Sequence, residues 1–345
     1  MNLITKISNM IPKKKSNDGA LTATVFALIV MVLIQSVVMG INAGSFGGMF
    51  GKMGMAWMNI LRNNSYAGVI AMGMCLIIIS GGIDLSVGSA ICANGAFVMY
   101  LLDEANGPLA AMGITGTPAY IITVIASIIF GFLLGEINGC LIAYGKLPPF
   151  IATLGTMKIF RSVTQELCKQ FNPVVPDGFK MITSVKIFGQ VVLPIVYWVV
   201  IAIIIHIIFK KTAFGRQVIA VGSNERAAKL SGINVSGVKR RIYAITGALC
   251  SVASIIYIAR IGSMDFANAG SGYEMDAIAA VIVGGTSMAG GRGSIVGAFV
   301  GMLIMGVMNN ILNSVGVPTF LCDAVKGAII IFAVMLQMVQ GKKKA

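Results

Sequence analysis

The stretch SGGIDLSVGS, from residue 80 to 89, places one carboxylate among serines and glycines between two apolar runs. The runs VIAMGMCLIII before it and AICANGAFVMYLL after it have the composition of membrane helices. A charge in hydrocarbon costs at least about 2.5 kcal/mol, so Asp84 must face protein or water. We therefore expect a broken helix with Gly81 and Gly82 at its joint and Asp84 capping the next helix start. The alternative is that Asp84 lines or gates a polar path directly.

Two further carboxylates lie in or beside apolar segments. Glu136 is deep within the apolar run around residues 118–144. Because a buried carboxylate requires a partner, we place it in a cavity or against Lys146, Lys158 or Arg161. Asp276 begins another apolar run and is a candidate counterpart of Asp84 on the other side of the membrane.

Motifs for chemistry on bound nucleotide or metal are absent from the sequence. The dipeptide Gly-Lys occurs three times and never precedes Ser or Thr, so there is no Walker A motif. The six cysteines form no C-x-x-C pair, and His206 is the only histidine. We expect no metal site, no catalytic residues and no cofactor bound by this chain. An intramembrane hydrolase is the enzyme alternative, although no nucleophile and base stand out by spacing.

The composition excludes an ordinary soluble protein. Of 345 residues, 57% are hydrophobic and 11% are charged, whereas soluble domains carry about 25% charged residues. The formal net charge of +14 is concentrated near the two ends and in the loop at 210–241. Basic clusters flanking apolar spans mark the cytoplasmic side, so the charge indicates membrane topology and not nucleic-acid binding.

The apolar runs predict an all-α polytopic membrane protein with about ten transmembrane helices. They lie at 20–40, 61–80, 84–102, 118–144, 149–166, 190–209, 242–260, 274–290, 294–312 and 318–338. The residues at 41–58 are expected to form an outer loop with a short interfacial helix. Both termini are then cytoplasmic: a basic N-terminus at 1–19, one transmembrane domain at 20–338 and a basic tail at 339–345. The span at 149–166 contains two basic residues and is expected to be short, bent or re-entrant.

Two segments share an order of residues that suggests an inverted internal repeat. The motif G-x-x-N-G at 135–139 precedes GKLPPF, and G-x-x-N-N at 306–310 precedes GVPTF. The predicted topology ends the first copy inside and the second outside, an arrangement that places a transport path near the midplane. Chance similarity among glycine-rich helices is the alternative. The pair Gly284 and Gly285 is expected to form a second broken-helix joint.

The basic loop at 210–241 contains signals for a short helix. Asn224 is suited to cap the sequence ERAAKLSG, and Gly232 is suited to end it. The alanines of this helix would leave a smooth surface for a partner protein. A solvated loop that only sets topology is the alternative.

Several motifs resemble those of monosaccharide ABC-importer permeases of the ribose and galactose/methyl-galactoside types. They are SGGIDLSVGS, PPFIATLGTM, GYEMDAIAAVIVGGTSMAGGRGSIVGA, VKGAIIIFAV and the loop from Phe214 to Ile233, and they follow one another over nearly all of the chain after residue 58. The resemblance implies a permease homodimer or heterodimer in a bacterial plasma membrane. It also implies two cytoplasmic ATPase subunits, which carry ATP and magnesium, and an extracytoplasmic sugar-binding protein. Coupling to the ATPase would involve Gly215, Arg216, Asn224, Ala227, Ala228, Ser231 and Gly232.

The resemblance also suggests which residues line the path for the sugar. A neutral sugar requires hydroxyl and amide partners. The candidates are therefore Ser86, Asn138, Thr153, Asn309 and Asn310, which are favoured over the charged candidates Asp84 and Glu136. The motifs are divided between the ribose type and the galactoside type, and Glu136 fits neither. The alternatives are a permease of the same fold for a nucleoside, xylose or a signalling furanose, and a channel or ion-coupled carrier.

Overall fold

The computed structural model describes residues 16–43, 46–169, 173, 175–187 and 189–342. The basic end segments at 1–15 and 343–345 lie outside this range. The helices are α1 Ser16–Ala43, α2 Phe46–Asn63, α3 Ser65–Ile79, α4 Val87–Leu102, α5 Pro108–Ala111, α6 Gly116–Ala143, α7 Pro149–Leu167, α8 Asp177–Ser184, α9 Leu193–Lys211, α10 Ala213–Ser223, α11 Glu225–Leu230, α12 Val235–Ile261, α13 Tyr273–Val283, α14 Ile295–Val315 and α15 Thr319–Lys342. A two-stranded antiparallel hairpin pairs β1 Lys186–Ile187 with β2 Gln190–Val191.

Five of the described helices are long and apolar enough to cross a bilayer. These segments are Leu21–Ile41, Gly116–Ala143, Leu193–Lys211, Val235–Ile261 and Ile295–Val315. Helices α3 and α4 are apolar but have only 15 and 16 residues, which gives each about 23 Å of length. The chain is thus an all-α, multi-pass membrane protein. A total of ten spans and an internal repeat remain predictions.

Three expected boundaries differ from those of the structure. The segment at 41–58, expected as an outer loop with a short interfacial helix, contains most of the 18-residue helix α2, which continues to Asn63. The helix expected from Asp84 starts at Val87. The span expected to continue to residue 290 ends at Val283, because Gly285 turns the chain with a φ of 85°, a conformation that favours glycine.

Helix α12 runs through the centre of the molecule and packs against α3, α4 and α6. Its contact with α6 depends on small residues. A Cβ atom at Gly247 would lie 2.2 Å from the Gly131 carbonyl oxygen, and one at Gly135 would lie 2.2 Å from that of Tyr243. Glycines at such positions allow membrane helices to approach backbone to backbone.

Helix α3 is enclosed by its neighbours, whereas α1, α6 and α9 expose apolar faces. The side chains from Val69 to Ile79 in α3 are almost completely buried, which is typical of a helix that is apolar on all sides and lies inside a bundle. Phe26 and Leu33 of α1 and Ile125 of α6 are each more than half exposed. Such faces are suited to contact with lipid.

Candidate functional site

The chain between α3 and α4, residues 80–86, forms what we call the first joint. Gly81 has a φ of 84°, and a Cβ atom at Gly82 would lie 2.6 Å from the Tyr243 hydroxyl oxygen. The Asp84 carboxylate accepts hydrogen bonds from the Ser86 backbone N–H at 2.8 Å and from the Ser86 hydroxyl at 2.7 Å. Asp84 therefore orders the turn before the helix, and the residue at the cap position is Ser86.

A buried polar cluster joins the first joint to α6 and α7. Asn138 of α6 donates from Nδ2 to the Ser86 hydroxyl at 2.7 Å and accepts at Oδ1 from the Thr156 hydroxyl at 2.6 Å. Thr153, one turn before Thr156 on α7, accepts at 3.1 Å from the Leu85 backbone N–H. The polar cluster thus consists of Asp84, Ser86, Asn138, Thr153 and Thr156.

The polar cluster brings together four of the seven residues predicted to line the path. Its five side chains are each at most 3% exposed. A cluster this enclosed holds the first joint against two helices and presents no polar group to an open cavity. Thr156 was not predicted. Its spacing of three residues from Thr153 was the available signal, because residues i and i+3 share one helix face.

Glu136 lies near the start of α12, apart from the polar cluster. Its Oε1 atom is 2.9 Å from Nε of Arg240, and both side chains are partly exposed. The expected partners Lys146, Lys158 and Arg161 are wrong. Residues 136 and 240 are distant in sequence, and they come together because α6 and α12 pack along their length.

Asn309 and Asn310 lie on α14, more than 150 residues after the polar cluster in the sequence. Asn310 Oδ1 accepts a hydrogen bond of 2.9 Å from Gln35 Nε2 of α1. Asn309 Oδ1 is buried and has no hydrogen-bond partner within the described residues. Asn310 therefore belongs to the contact between α1 and α14, and neither asparagine is hydrogen-bonded to the other predicted path residues.

The chain between α13 and α14, residues 284–294, forms the second joint and contains Gly284 and Gly285. A Cβ atom at Gly284 would lie 2.3 Å from the Gly297 carbonyl oxygen, so the end of α13 packs directly on the start of α14. Asp276, at the other end of α13, lies 2.9 Å from the Lys326 ammonium of α15. Its carboxylate therefore has an ion-pair partner that the sequence pattern did not indicate.

The loop between α9 and α12 folds into the two helices α10 and α11, and we call residues 212–234 the coupling segment. Thr212, Asn224 and Asn234 each accept a hydrogen bond from the backbone N–H three residues later. Gly232 has a φ of 82° after the end of α11. The short helix expected after Asn224 is thus present as α11, and α10 before it was not expected.

The predicted coupling residues divide between the interior and the surface. Gly215 is buried, with a would-be Cβ only 1.8 Å from the Phe209 carbonyl oxygen, and Ala228 is 4% exposed. The remaining five are exposed: Arg216, Asn224, Ala227, Ser231 and Gly232. Beside them Leu230 is 90% exposed. A large apolar side chain in that position is suited to a protein contact.

A basic cavity of about 510 Å³ lies between the coupling segment and the connection from α6 to α7. Lys146, Lys229 and Lys239 line it together with Glu225, whose carboxylate lies 2.7 Å from the Lys239 ammonium. Among the described residues, Lys146 and Lys229 have no ion-pair partner. Lys146 also has a φ of 55°, an uncommon backbone conformation for a residue other than glycine. The cavity therefore carries a net positive charge.

Comparison with known proteins places most of the chain in one family. Residues 56–334 match the family model described as "Branched-chain amino acid transport system / permease component". The ribose import permease protein RbsC of Bacillus subtilis (strain 168) is 42% identical over 283 residues, which cover 81% of this chain and 83% of that protein. RbsC of Escherichia coli (strain K12) is 37% identical over 81% of this chain and 84% of its own. The galactose/methyl galactoside import permease protein MglC of the same strain is 36% identical over 83% of this chain and 87% of its own. No solved structure matched.

Proposed function

The chain belongs to the sugar ABC-transporter permease family, and on that premise we propose that it is the membrane subunit of an ATP-driven monosaccharide importer. The observation that carries the proposal is its similarity to ribose and galactose permeases along four fifths of its length. The sugar would arrive from an extracytoplasmic binding protein, and a separate cytoplasmic subunit would bind ATP with magnesium and hydrolyse it. We propose a bacterial plasma membrane location with both termini in the cytoplasm.

The coupling segment is the proposed docking surface for the ATPase. Three observations support this role: two short capped helices, the 90% exposed Leu230 and the adjoining basic cavity. Leu230 would insert into an apolar groove of the partner. Lys146 and Lys229 would face acidic side chains of the partner, because charge complementarity gives an interface its orientation.

A second copy of the chain, or a similar chain, is proposed to pack beside α7. This helix exposes the polar residues Lys158 and Ser162 along with the apolar residues Ile151 and Ile159. A charged group facing lipid is costly, so polar residues in membrane helices normally face protein or a water-filled cavity. A permease dimer would place this face at the interface or along the path between the two copies.

The polar cluster is proposed to control the wall of the path through the first joint. Its side chains hold the start of α4 against α6 and α7. A change of joint geometry would expose its hydroxyl and amide groups, which are suited to a neutral sugar. The ten-span topology and the inverted repeat, together with the joints Gly81, Gly82, Gly284 and Gly285, are part of the same proposal.

Ribose is the first candidate sugar, because the ribose permease of Bacillus subtilis is 42% identical to this chain and the galactoside permease of Escherichia coli is 36% identical. Galactose, methyl galactosides and xylose are the other candidates. The experiment that ranks them is calorimetry of the partner binding protein against these sugars. Tight binding of a monosaccharide supports the proposal, whereas binding only of an amino acid or a nucleoside would replace the substrate class.

The competing function, an ion-coupled carrier, differs in its requirement for the ATPase. The permease should co-purify with its ATPase, and the complex should hydrolyse ATP faster when the loaded binding protein is added. A chain that transports sugar alone in response to an ion gradient would contradict the proposal.

A further inference from the structure

The coupling segment meets both joints at one point, through the backbone. The Gly291 N–H of the second joint donates a hydrogen bond of 2.8 Å to the carbonyl oxygen of Ile79, the last residue of α3. Gly222, near the end of α10, lies against the same carbonyl group. We call this contact between residues 79–81, 222–223 and 290–291 the glycine junction.

The three segments approach so closely that a side chain is excluded at several positions. A Cβ atom at Gly222 would lie 1.8 Å from the Ile79 carbonyl oxygen and 2.7 Å from the Gly291 nitrogen. One at Gly290 would lie 2.7 Å from the Gly222 carbonyl oxygen and 3.2 Å from the Gly81 Cα. Distances under 3.0 Å to backbone atoms cannot be relieved by a change of rotamer.

Backbone conformation adds a second requirement for glycine in the second joint. Gly290 has a φ of 81° and Gly291 a φ of 71°, which other residues adopt at a cost. A Cβ atom at Gly291 would also lie 2.4 Å from the Ser223 hydroxyl oxygen. Both the turn and the space around it therefore depend on these two glycines.

We infer that Gly222, Gly290 and Gly291 are positioning residues that transmit movement of the coupling segment to both joints. This inference rests on the proposed function. Close-packed backbone contacts deform little, so a shift of α10 must displace the end of α3 and the second joint together. The first joint holds Asp84 and the polar cluster, so the same displacement reaches the contacts between α4, α6 and α7.

The test compares alanine substitutions in and outside the junction, in the complete permease–ATPase complex with its binding protein. Gly222→Ala adds a Cβ that collides with backbone, whereas Gly54→Ala adds one to helix α2 with nothing within 4 Å. Gly290→Ala combines a positive φ with a collision. Gly272→Ala has a similar φ of 84° and nothing within 4 Å of its would-be Cβ. Assembly, ATP hydrolysis and sugar uptake into vesicles are measured for each.

We expect Gly222→Ala and Gly290→Ala to assemble and hydrolyse ATP but to move about 5- to 150-fold less sugar per ATP, the range of a typical coupling free energy. Gly54→Ala and Gly272→Ala should keep the wild-type ratio of sugar to ATP. Wild-type ratios in both junction variants would overturn the inference. Loss of assembly in both, with the controls intact, would also overturn it, because the junction would then serve folding alone. If the wild-type complex itself moves no sugar, the proposed function fails instead.

Discussion

At the scale of single residues, three carboxylates in or beside the apolar helices, Asp84, Glu136 and Asp276, each have specific partners. Asp84 has no basic partner among the described ion pairs. Its carboxylate is held by the N–H and hydroxyl of Ser86. Glu136 pairs with Arg240, and Asp276 pairs with Lys326. Asp84 thus acts on the geometry of the first joint, and the two ion pairs tie helices together.

Replacing Asp84 should separate its hydrogen-bonding role from its charge. Asp84→Leu removes the acceptor for the buried Ser86 N–H, which should cost about 1–3 kcal/mol of stability and abolish most transport. Asp84→Asn keeps an acceptor oxygen in the same place and should retain most of the stability and most of the transport activity. Thermal unfolding in detergent and sugar uptake are the measurements. If Asp84→Leu transports as well as wild type, the first joint does not depend on this carboxylate.

Residue partners close in sequence were predictable, and distant ones were not. The cap at Asn224 and the stop at Gly232 depend on residues within one short segment, so the sequence predicted α11. The predicted partners of Glu136 were wrong, because its actual partner Arg240 reaches it only through the packing of α6 on α12. Four predicted path residues meet in the polar cluster, whereas Asn309 and Asn310 lie apart. The type of a residue, asparagine in each case, does not indicate which helices become neighbours.

At the scale of elements, the coupling segment carries the most exposed large apolar side chain of the described residues, that of Leu230. Helices α10 and α11 pack through buried residues such as Val218 and Ala228. Leu230 at the end of α11 is left exposed. Helix α10 was not predicted, although Thr212 is a suitable N-cap. The apolar runs predicted the long helices well, since length and hydropathy suffice for these.

A charge on the exposed end of α11 should break the contact with the ATPase while the permease stays folded. Leu230→Asp places a charge where an apolar groove is expected and should reduce co-purification of the ATPase about 10-fold or more, a loss of about 1.4 kcal/mol. Met112→Asp is the matched control, because Met112 is 72% exposed on the predicted outer side. Ala228→Asp is a poorer test, since burial of Ala228 makes misfolding the expected result. Undiminished co-purification of Leu230→Asp would exclude this docking surface.

At the scale of the whole molecule, the distribution of basic residues and the fold suggest one orientation in the membrane. The coupling segment and the α6–α7 connection border the same basic cavity, so they lie on the same side of the molecule. Clusters of Lys and Arg mark the cytoplasmic side. The predicted topology agrees with this arrangement, because it assigns both segments to the cytoplasm.

Labelling of introduced cysteines should determine the orientation. In a cysteine-free background, Ser231→Cys on the exposed coupling segment should react with a membrane-impermeant maleimide only after the cells are permeabilised. Met112→Cys, between α5 and α6, should react in intact cells. The reverse pattern would invert the topology and remove the coupling segment from the reach of a cytoplasmic ATPase.

The central claim is that this chain moves a monosaccharide when a partner ATPase hydrolyses ATP. The most direct test is uptake of labelled ribose, galactose and xylose into proteoliposomes that contain the permease and its ATPase, with the binding protein outside and ATP inside. The account predicts accumulation of one of these sugars that requires ATP, the binding protein and the ATPase together. Accumulation that persists without ATP and collapses with an ion gradient, or no accumulation of any monosaccharide by the fully assembled complex, would contradict it.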